Sequence, residues 1–256
     1  MKQHLLVTTT ADLSIEQFRP LCDIVLLNDS QSSDKIRAIE DYRSVYVRSH
    51  FSRPDVMPQN FTQQIDEIGR LARQHDIPLI DNMGTAQEIV NFEDKWRQYQ
   101  IFSECMPKTQ LATKQPDNKS VIFKKRISSR ATGIVWRRED IVGDLADWIC
   151  QPLLNIQEEL RVYIVRGEVI KTAAVRQSKT TNQAVKVVGV RELTEKEESF
   201  AQLVHQRRPE LDFIGLDIVI TPEELRLIEV NRSPDFASFA RESQLNLVEK
   251  LYDSTS

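Results

Sequence analysis

The sequence predicts an α/β (α+β) fold in which a small parallel lobe precedes a longer segment rich in hairpins. Three observations predict it. Short apolar runs at residues 4–8, 24–27, 45–47 and 78–80 alternate with helical stretches through the first 85 residues. Beyond Lys124 strands dominate, and neighbours in sequence read as local hairpins. At 256 residues, with 40% hydrophobic and 28% charged residues, the chain can bury one or two sizeable cores.

The first lobe follows from its periodicity. Ile65, Ile68, Leu71 and Ala72 recur at helical spacing between the third and fourth strands. Strands alternating with helices imply a small parallel sheet with crossover helices. No Gly-rich turn follows the first strand, so a dinucleotide-binding fingerprint is excluded. The lobe therefore reads as structural or substrate-facing. Next comes a helix over about residues 92–104, with Trp96, Tyr99 and Phe102 on its core side. Met106-Pro107 ends it, and a polar stretch at 113–119 leads into a strand at 121–124. A helix at 194–206 opens with a capping box, Thr194 and Glu197. A last helix is expected over 243–251, and no internal repeat is present.

Composition limits the function classes. The net charge is −4 with both signs spread along the chain, so nucleic acid is not an expected partner. Apolar runs of only a few residues exclude a membrane span. The first residues lack the extended apolar core of a secretory signal. Cys22, Cys105 and Cys150 are odd in number and far apart, which points to reduced, structural thiols in a cytoplasmic protein.

Two hairpins carry the chemistry. Apolar strands at 214–220 and 225–230 flank a turn containing Pro222, Glu223 and Glu224. With Thr221 paired to Leu225, Asp217 falls opposite Glu229, and Asn231 lies two residues on along the same face. Facing carboxylates repel, and Asp217 sits in an apolar run where an unpaired charge is costly. A Mg²⁺ or Mn²⁺ ion, which prefers oxygen ligands, would relieve both. The metal reading depends on register, because a one-residue slip moves Glu229 to the other face. The second hairpin turns at Arg166-Gly167. Pairing Val165 with Glu168 puts Arg161 opposite Thr172. Glu159, Arg161, Thr172 and Arg176 then share one face, and apolar residues take the other. Guanidinium groups on an open face suit phosphate. Lys124 ends an apolar strand and precedes a small polar loop, Ile127 to Ile134, whose small residues let backbone N–H groups approach phosphates. Walker-type sequences are absent.

In this order the motifs resemble the ATP-grasp family, particularly its RimK-like and glutathione-synthetase-like branch, over about residues 91–246. Asp94-Lys95-Trp96 and Met106-Pro107-Lys108-Thr109 resemble the family's entry helix and its exit. Val121 to Lys124 resembles the strand whose lysine contacts nucleotide phosphates. The run from Ile149 through Gln151, Pro152, Leu153 and Leu154 resembles the adenine-holding hinge. Glu159-Leu160-Arg161 resembles an acidic-x-Arg motif, with the acidic residue on ribose. Arg176 resembles the arginine near the reacting phosphate, and Gly215-Leu216-Asp217 with Glu229-Val230-Asn231 resembles the metal motif. A further resemblance links residues 8–14 and Ser44 to Arg48 to the ATP-grasp ligases that crosslink graspetide peptides.

The resemblance implies a Rossmann-like lobe over 1–90 and an ATP-grasp domain over 91–256, with subdomains at about 108–153 and 154–256 enclosing ATP. It implies that a carboxylate is phosphorylated by ATP and then joined to an amine, on an amino acid, peptide or protein. In these terms Asp217, Glu229 and Asn231 hold the metal, Lys124 and Arg176 act at the phosphates, Glu159 holds ribose, and Arg161 orients the face or meets substrate. Departures are also present. Gly133 is alone in its loop, so Arg130 is expected to cover the phosphates. Pro152 stands where the hinge usually has an acidic residue, and Ser233-Pro234-Asp235 lacks the usual Pro-Gly ending. A non-catalytic nucleotide-binding module and a phosphotransferase remain open as alternatives. A homodimer is the default assembly.

Overall fold

The computed structural model describes residues 3–9, 12–27, 32–48, 61–81, 85–114, 120–128, 133–177 and 186–253. Its first lobe is a parallel sheet of β1 (His4–Thr8), β2 (Cys22–Leu26), β3 (Ser44–Arg48) and β4 (Leu79–Ile80), in the order β2-β1-β3-β4. Two helices, α1 (Ser32–Arg37) and α2 (Phe61–Gln74), belong to it. Alternation along the strands divides the core in two. Leu5, Val7, Val45 and Val47 join Ile65, Ile68 and Ala72 of α2, while Leu6 and Tyr46 join Phe18, Phe213 and Phe236. Both faces are thus covered, as parallel strands require.

The single helix expected over 92–104 is two helices, α3 (Ala86–Phe92) and α4 (Lys95–Phe102). A capping box of Thr85 and Glu88 starts α3. Extended backbone at Asp94 breaks the run, and its carboxylate caps α4 by accepting the Trp96 N–H. A short acidic side chain satisfies free N–H groups better at a cap than inside a helix. Phe102 is core, whereas Trp96 and Tyr99 are half-buried and stack on each other at 5.6 Å.

A small antiparallel sheet follows: β5 (Gln110–Leu111), β6 (Val121–Lys125), β7 (Ile134–Val135) and β8 (Trp148–Pro152), ordered β5-β8-β6-β7. Its own core is Ala112, Phe123, Trp148 and Cys150. The large antiparallel sheet contains β9 (Glu158–Val165), β10 (Glu168–Val169), β11 (Thr172–Gln177), β12 (Lys186–Glu192), β13 (Phe213–Ile220) and β14 (Leu225–Asn231), with the main order β12-β11-β9-β13-β14. Residues expected in a loop at 182–190 include the start of β12; 182–185 lie outside the described residues. Helix α5 (Glu195–His205) opens on the expected Thr194–Glu197 capping box. At the end of the chain α6 (Ala237–Ser243) and α7 (Leu247–Asp253) replace the one helix expected at 243–251. Left-handed backbone at Gln244 terminates α6 and redirects the chain. All three cysteines are buried thiols outside any disulfide. No described helix is long and apolar enough to cross a membrane.

Both functional hairpins differ from their expected pairing. Val165 faces Glu168, as read from the sequence, across a turn with positive φ at Arg166 and Gly167. Buried Ile170 and then Lys171 interrupt the ladder, so Arg161 faces Ala174 and not Thr172. A two-residue displacement preserves parity, and Glu159, Arg161, Thr172 and Arg176 still share a face. That face is polar only at one end. Tyr163, Val165 and Ala174 lie on it too and pack against Phe213, Phe236 and Phe239. In the metal-motif hairpin Ile220, not Thr221, pairs with Leu225. A bulge at Ile228 then restores Asp217 opposite Glu229.

The first lobe and the large sheet interlock behind Asn231. Tyr46 donates its hydroxyl to the Arg232 carbonyl at 3.0 Å, and Arg232 Nη1 donates to the Val47 carbonyl at 2.7 Å. Arg48 Nη2 donates to the Pro234 carbonyl at 3.0 Å while Nη1 pairs with Asp12 Oδ2 at 2.8 Å. Arg48 and Arg232 are both fully buried. Removing one partner of such a pair strands the other. Arg48→Met is therefore expected to destabilise the protein by about 3 kcal/mol or more in denaturant unfolding. Arg48→Lys should restore only part of this, because an ammonium lacks the guanidinium fork.

Candidate functional site

The site forms where three neighbouring strands present charged residues in one row. Arg161 on β9, Asp217 on β13 and Glu229 on β14 are mutually in register, Asp217 facing both of the others. Arg161 binds Asp217 bidentately, Nε to Oδ1 at 2.7 Å and Nη2 to Oδ2 at 2.8 Å. Arg176, opposite Glu159 on the next strand, sets Nη1 2.6 Å from Asp217 Oδ1 and 3.1 Å from Glu159 Oε1. Burial alone would raise the Asp217 carboxyl, but the two guanidinium groups override it and hold the group well below the usual carboxylate range. Burial raises the Glu159 carboxyl, with Arg176 opposing.

Lys95, the first residue of α4, completes the row. Its Nζ lies 3.2 Å from Glu229 Oε1 and donates to the Ser128 carbonyl at 2.7 Å. The sequence supports the cap that locates Lys95, through Asp94, but helical periodicity gives no sign that Lys95 reaches β14. Arg126 adds a second constraint by binding Asp94, with Nε to Oδ1 at 3.1 Å and Nη2 to Oδ2 at 2.5 Å. The start of α4 is thereby tied to the exit of β6. Lys124, near the end of β6, is close enough to feel the charges of Lys95, Glu229, Glu159 and Asp217. Burial, reinforced by Lys95, pushes its ammonium down to about 8.

Repulsion between Asp217 and Glu229, the ground for expecting a metal, is thus met first by Arg161, Arg176 and Lys95. The donor set still fits a hard divalent cation: two carboxylates and an amide, with Asp217 held ionised. Asn231 faces Gly215 on the ladder and brings Nδ2 to 3.3 Å from Asp217 Oδ2. Among the described residues no three His, Cys, Asp or Glu side chains form a metal cluster; the trio contains only two such residues.

Comparison with known proteins matches residues 72–234, more than half of the chain, to the ATP-grasp domain, R2K clade family 3. The chain belongs to the ATP-grasp family. Among solved structures it is similar to the ATP-grasp ligase PsnB complexed with minimal precursor, with a TM-score of 0.66, 15% identity and coverage of 100% of this chain and 99% of that one. A Chryseobacterium gregarium RiPP-associated ATP-grasp ligase, in complex with ADP and a leader and core peptide, gives a TM-score of 0.62 at 16% identity, covering 99% and 97%. D-alanine–D-alanine ligase from Bacillus anthracis gives 0.62 at 12%, covering 100% and 97%. These likenesses establish the fold. A search of curated proteins finds no match.

Other motif residues of this ATP-grasp chain have separate surroundings. Gln151 is buried and donates Nε2 to Thr109 Oγ1 at 2.8 Å, tying β8 to the segment before β5. Pro152 and Leu154 are half-buried, and Leu153 is exposed. Arg130 lies outside the described residues. At the return of its loop Gly133 has φ +71, and a Cβ there would sit 2.7 Å from Lys125 Cβ, so glycine is required. Gly215 is required by packing. A Cβ would meet Pro234 Cβ at 2.8 Å and Arg161 Cδ at 3.5 Å. Gly215→Ala is expected to cost about 1–3 kcal/mol by overpacking, measured as a lower denaturation midpoint at unchanged slope.

Proposed function

We propose that this protein is an ATP-dependent, ADP-forming carboxylate–amine ligase that makes an amide bond through an acyl phosphate. The observation that carries the reading is the row Arg161–Asp217–Glu229, flanked by Arg176 and Lys95, in an ATP-grasp chain. The γ-phosphoryl group passes to a substrate carboxylate, releasing ADP. An amine then attacks the acyl carbon and expels phosphate. Such transfers need charge neutralisation and positioning more than covalent help. Lys124, Arg176 and Lys95 supply cations for the phosphates, with Arg130 assigned to their cover. Arg161 holds Asp217 ionised and oriented. Glu159 is assigned to the ribose, and Gln151, Pro152, Leu153 and Leu154 to the adenine. Asp217, Glu229 and Asn231 would hold Mg²⁺ or Mn²⁺, which when bound supplies a Lewis acid at the phosphate oxygens.

The substrate class is an amino acid, peptide or protein. Peptides are favoured because one of the similar structures contains a leader and core peptide and another a minimal precursor. Residues 1–90 are assigned to the substrate-facing lobe and 91–256 to the nucleotide-binding domain. A cytoplasmic location agrees with this reading.

Two experiments test it. ADP release should require a carboxylate substrate from a panel of amino acids and peptides, and hydroxylamine should trap a hydroxamate. A stable phosphorylated product that hydroxylamine does not intercept would instead indicate a phosphotransferase. Glu229→Ala should lower turnover by about a hundredfold or more with an unchanged circular dichroism spectrum. Metal-dependent turnover at the wild-type rate would remove Glu229 from the site.

Lys124 sets a pH dependence. Its depressed value of about 8 leaves it mostly protonated at neutral pH. Phosphate binding favours the charged form, so affinity is full below about pH 8 and falls as pH rises through it. ATP titrations between about pH 6.5 and 9.5 should show this loss, and Lys124→Met should abolish the step. A flat profile in the wild type would show that Lys124 does not contact phosphate.

A further inference from the structure

Helix α4 contains a polar residue at a core position. Gln98 is 1% exposed, and its amide is spent on backbone groups. Oε1 accepts the Val230 N–H at 2.9 Å, while Nε2 donates to the Val230 carbonyl at 2.9 Å and to the Phe92 carbonyl at 3.0 Å. Because β14 is the end strand of its sheet, the side chain takes the place of a neighbouring strand at this one residue. A second anchor lies three residues earlier. Leu227 donates its N–H to the carbonyl of Cys105, just beyond α4, at 2.9 Å.

These two anchors bracket Ile228, the bulged residue of β14. The bulge decides what faces Asp217. Continuing the pairing of Ile218 with Leu227 without it would bring Ile228 opposite Asp217 and turn Glu229 to the other face. Lys95, one turn before Gln98, ion-pairs with Glu229, so the same helix restrains both the backbone and the carboxylate.

We propose that Gln98 is a positioning residue that holds β14 in its bulged register and thereby aims Glu229 and Asn231, which flank Val230. The role rests on the reading of those two residues as metal ligands. An apolar residue at 98 would fill the same space but leave the Val230 N–H and carbonyl without partners, which favours slippage.

The test compares ATP affinity by calorimetry with Mg²⁺ and with EDTA, in the wild type, Gln98→Met and Gln98→Glu. In Gln98→Met the Mg²⁺-dependent gain in affinity should fall by about tenfold or more, as for loss of other groups that orient metal ligands. Affinity in EDTA should stay within about twofold. Gln98→Glu keeps the acceptor for the Val230 N–H and loses the donor, so it should fall between the two; it decides the matter if Gln98→Met does not fold. Amide hydrogen exchange of the metal-free protein provides an independent readout, with faster exchange expected at Val230 in Gln98→Met. An unchanged Mg²⁺ gain, or equal losses with and without Mg²⁺, overturns the positioning role. A wild type without any Mg²⁺ gain overturns the metal reading itself, whereas unchanged Val230 exchange in Gln98→Met, beside a wild type that shows its Mg²⁺ gain, overturns the anchor and leaves the site standing.

Discussion

Asp217 is a carboxylate in the middle of a core strand, and the surrounding architecture depends on keeping it charged. Leu216 and Ile218 on either side of it are fully buried. An isolated carboxylate there would cost several kcal/mol or take up a proton. Arg161 satisfies both oxygens from the adjacent strand, and Arg176 adds a second cation. Each guanidinium needs its own strand in register, so the order β11-β9-β13-β14 is also the order of the charge row. Lys124, Lys95, Arg161 and Arg176 stand against Glu159, Asp217 and Glu229, an arrangement with more positive than negative groups that suits an anionic ligand.

Holding that row demands constraint from outside the sheet. Pro234 packs over Gly215, and its carbonyl is held by Arg48 from the first lobe. Across the same junction Tyr46 donates to the Arg232 carbonyl and Arg232 donates to the Val47 carbonyl. On the opposite edge, α4 covers β14 through Gln98. The buried polar contacts are satisfied largely by backbone carbonyls, which fixes direction as well as distance. Lobe and sheet therefore form a shared support, with apolar clusters running across both.

Much of this was legible in the chain because the relevant signals are local. Strand alternation placed Glu159, Arg161 and Arg176 on one face, and parity preserved that answer when the ladder shifted by two residues. The Asp217–Glu229 pairing was also anticipated, but from a hairpin offset that the protein does not use. A four-residue turn moved the register by one, and the Ile228 bulge moved it back. Hairpin periodicity cannot reveal a bulge whose cause lies in another element. The division of α3 from α4 does not show in the apolar pattern, which continues through the break although Asp94 carries the cap chemistry. Lys95 and Gln98 were hidden for a different reason. A lysine at a helix start and a glutamine among apolar residues have no local pattern that names their partners.

By itself the sequence determined the strand and helix types, the shared face of the arginines, and the set of oxygen-bearing side chains around Gly215 and Val230. Those properties follow from period, turn chemistry and residue type, all of which act over a few residues. Only the tertiary structure decided that Asp217 is held by two guanidinium groups, that Lys95 meets Glu229, and that β14 is bulged and anchored from α4. The reason is physical: each of these depends on desolvating a polar group against a partner far away in the chain, and no local periodicity encodes which buried donor will meet which buried acceptor.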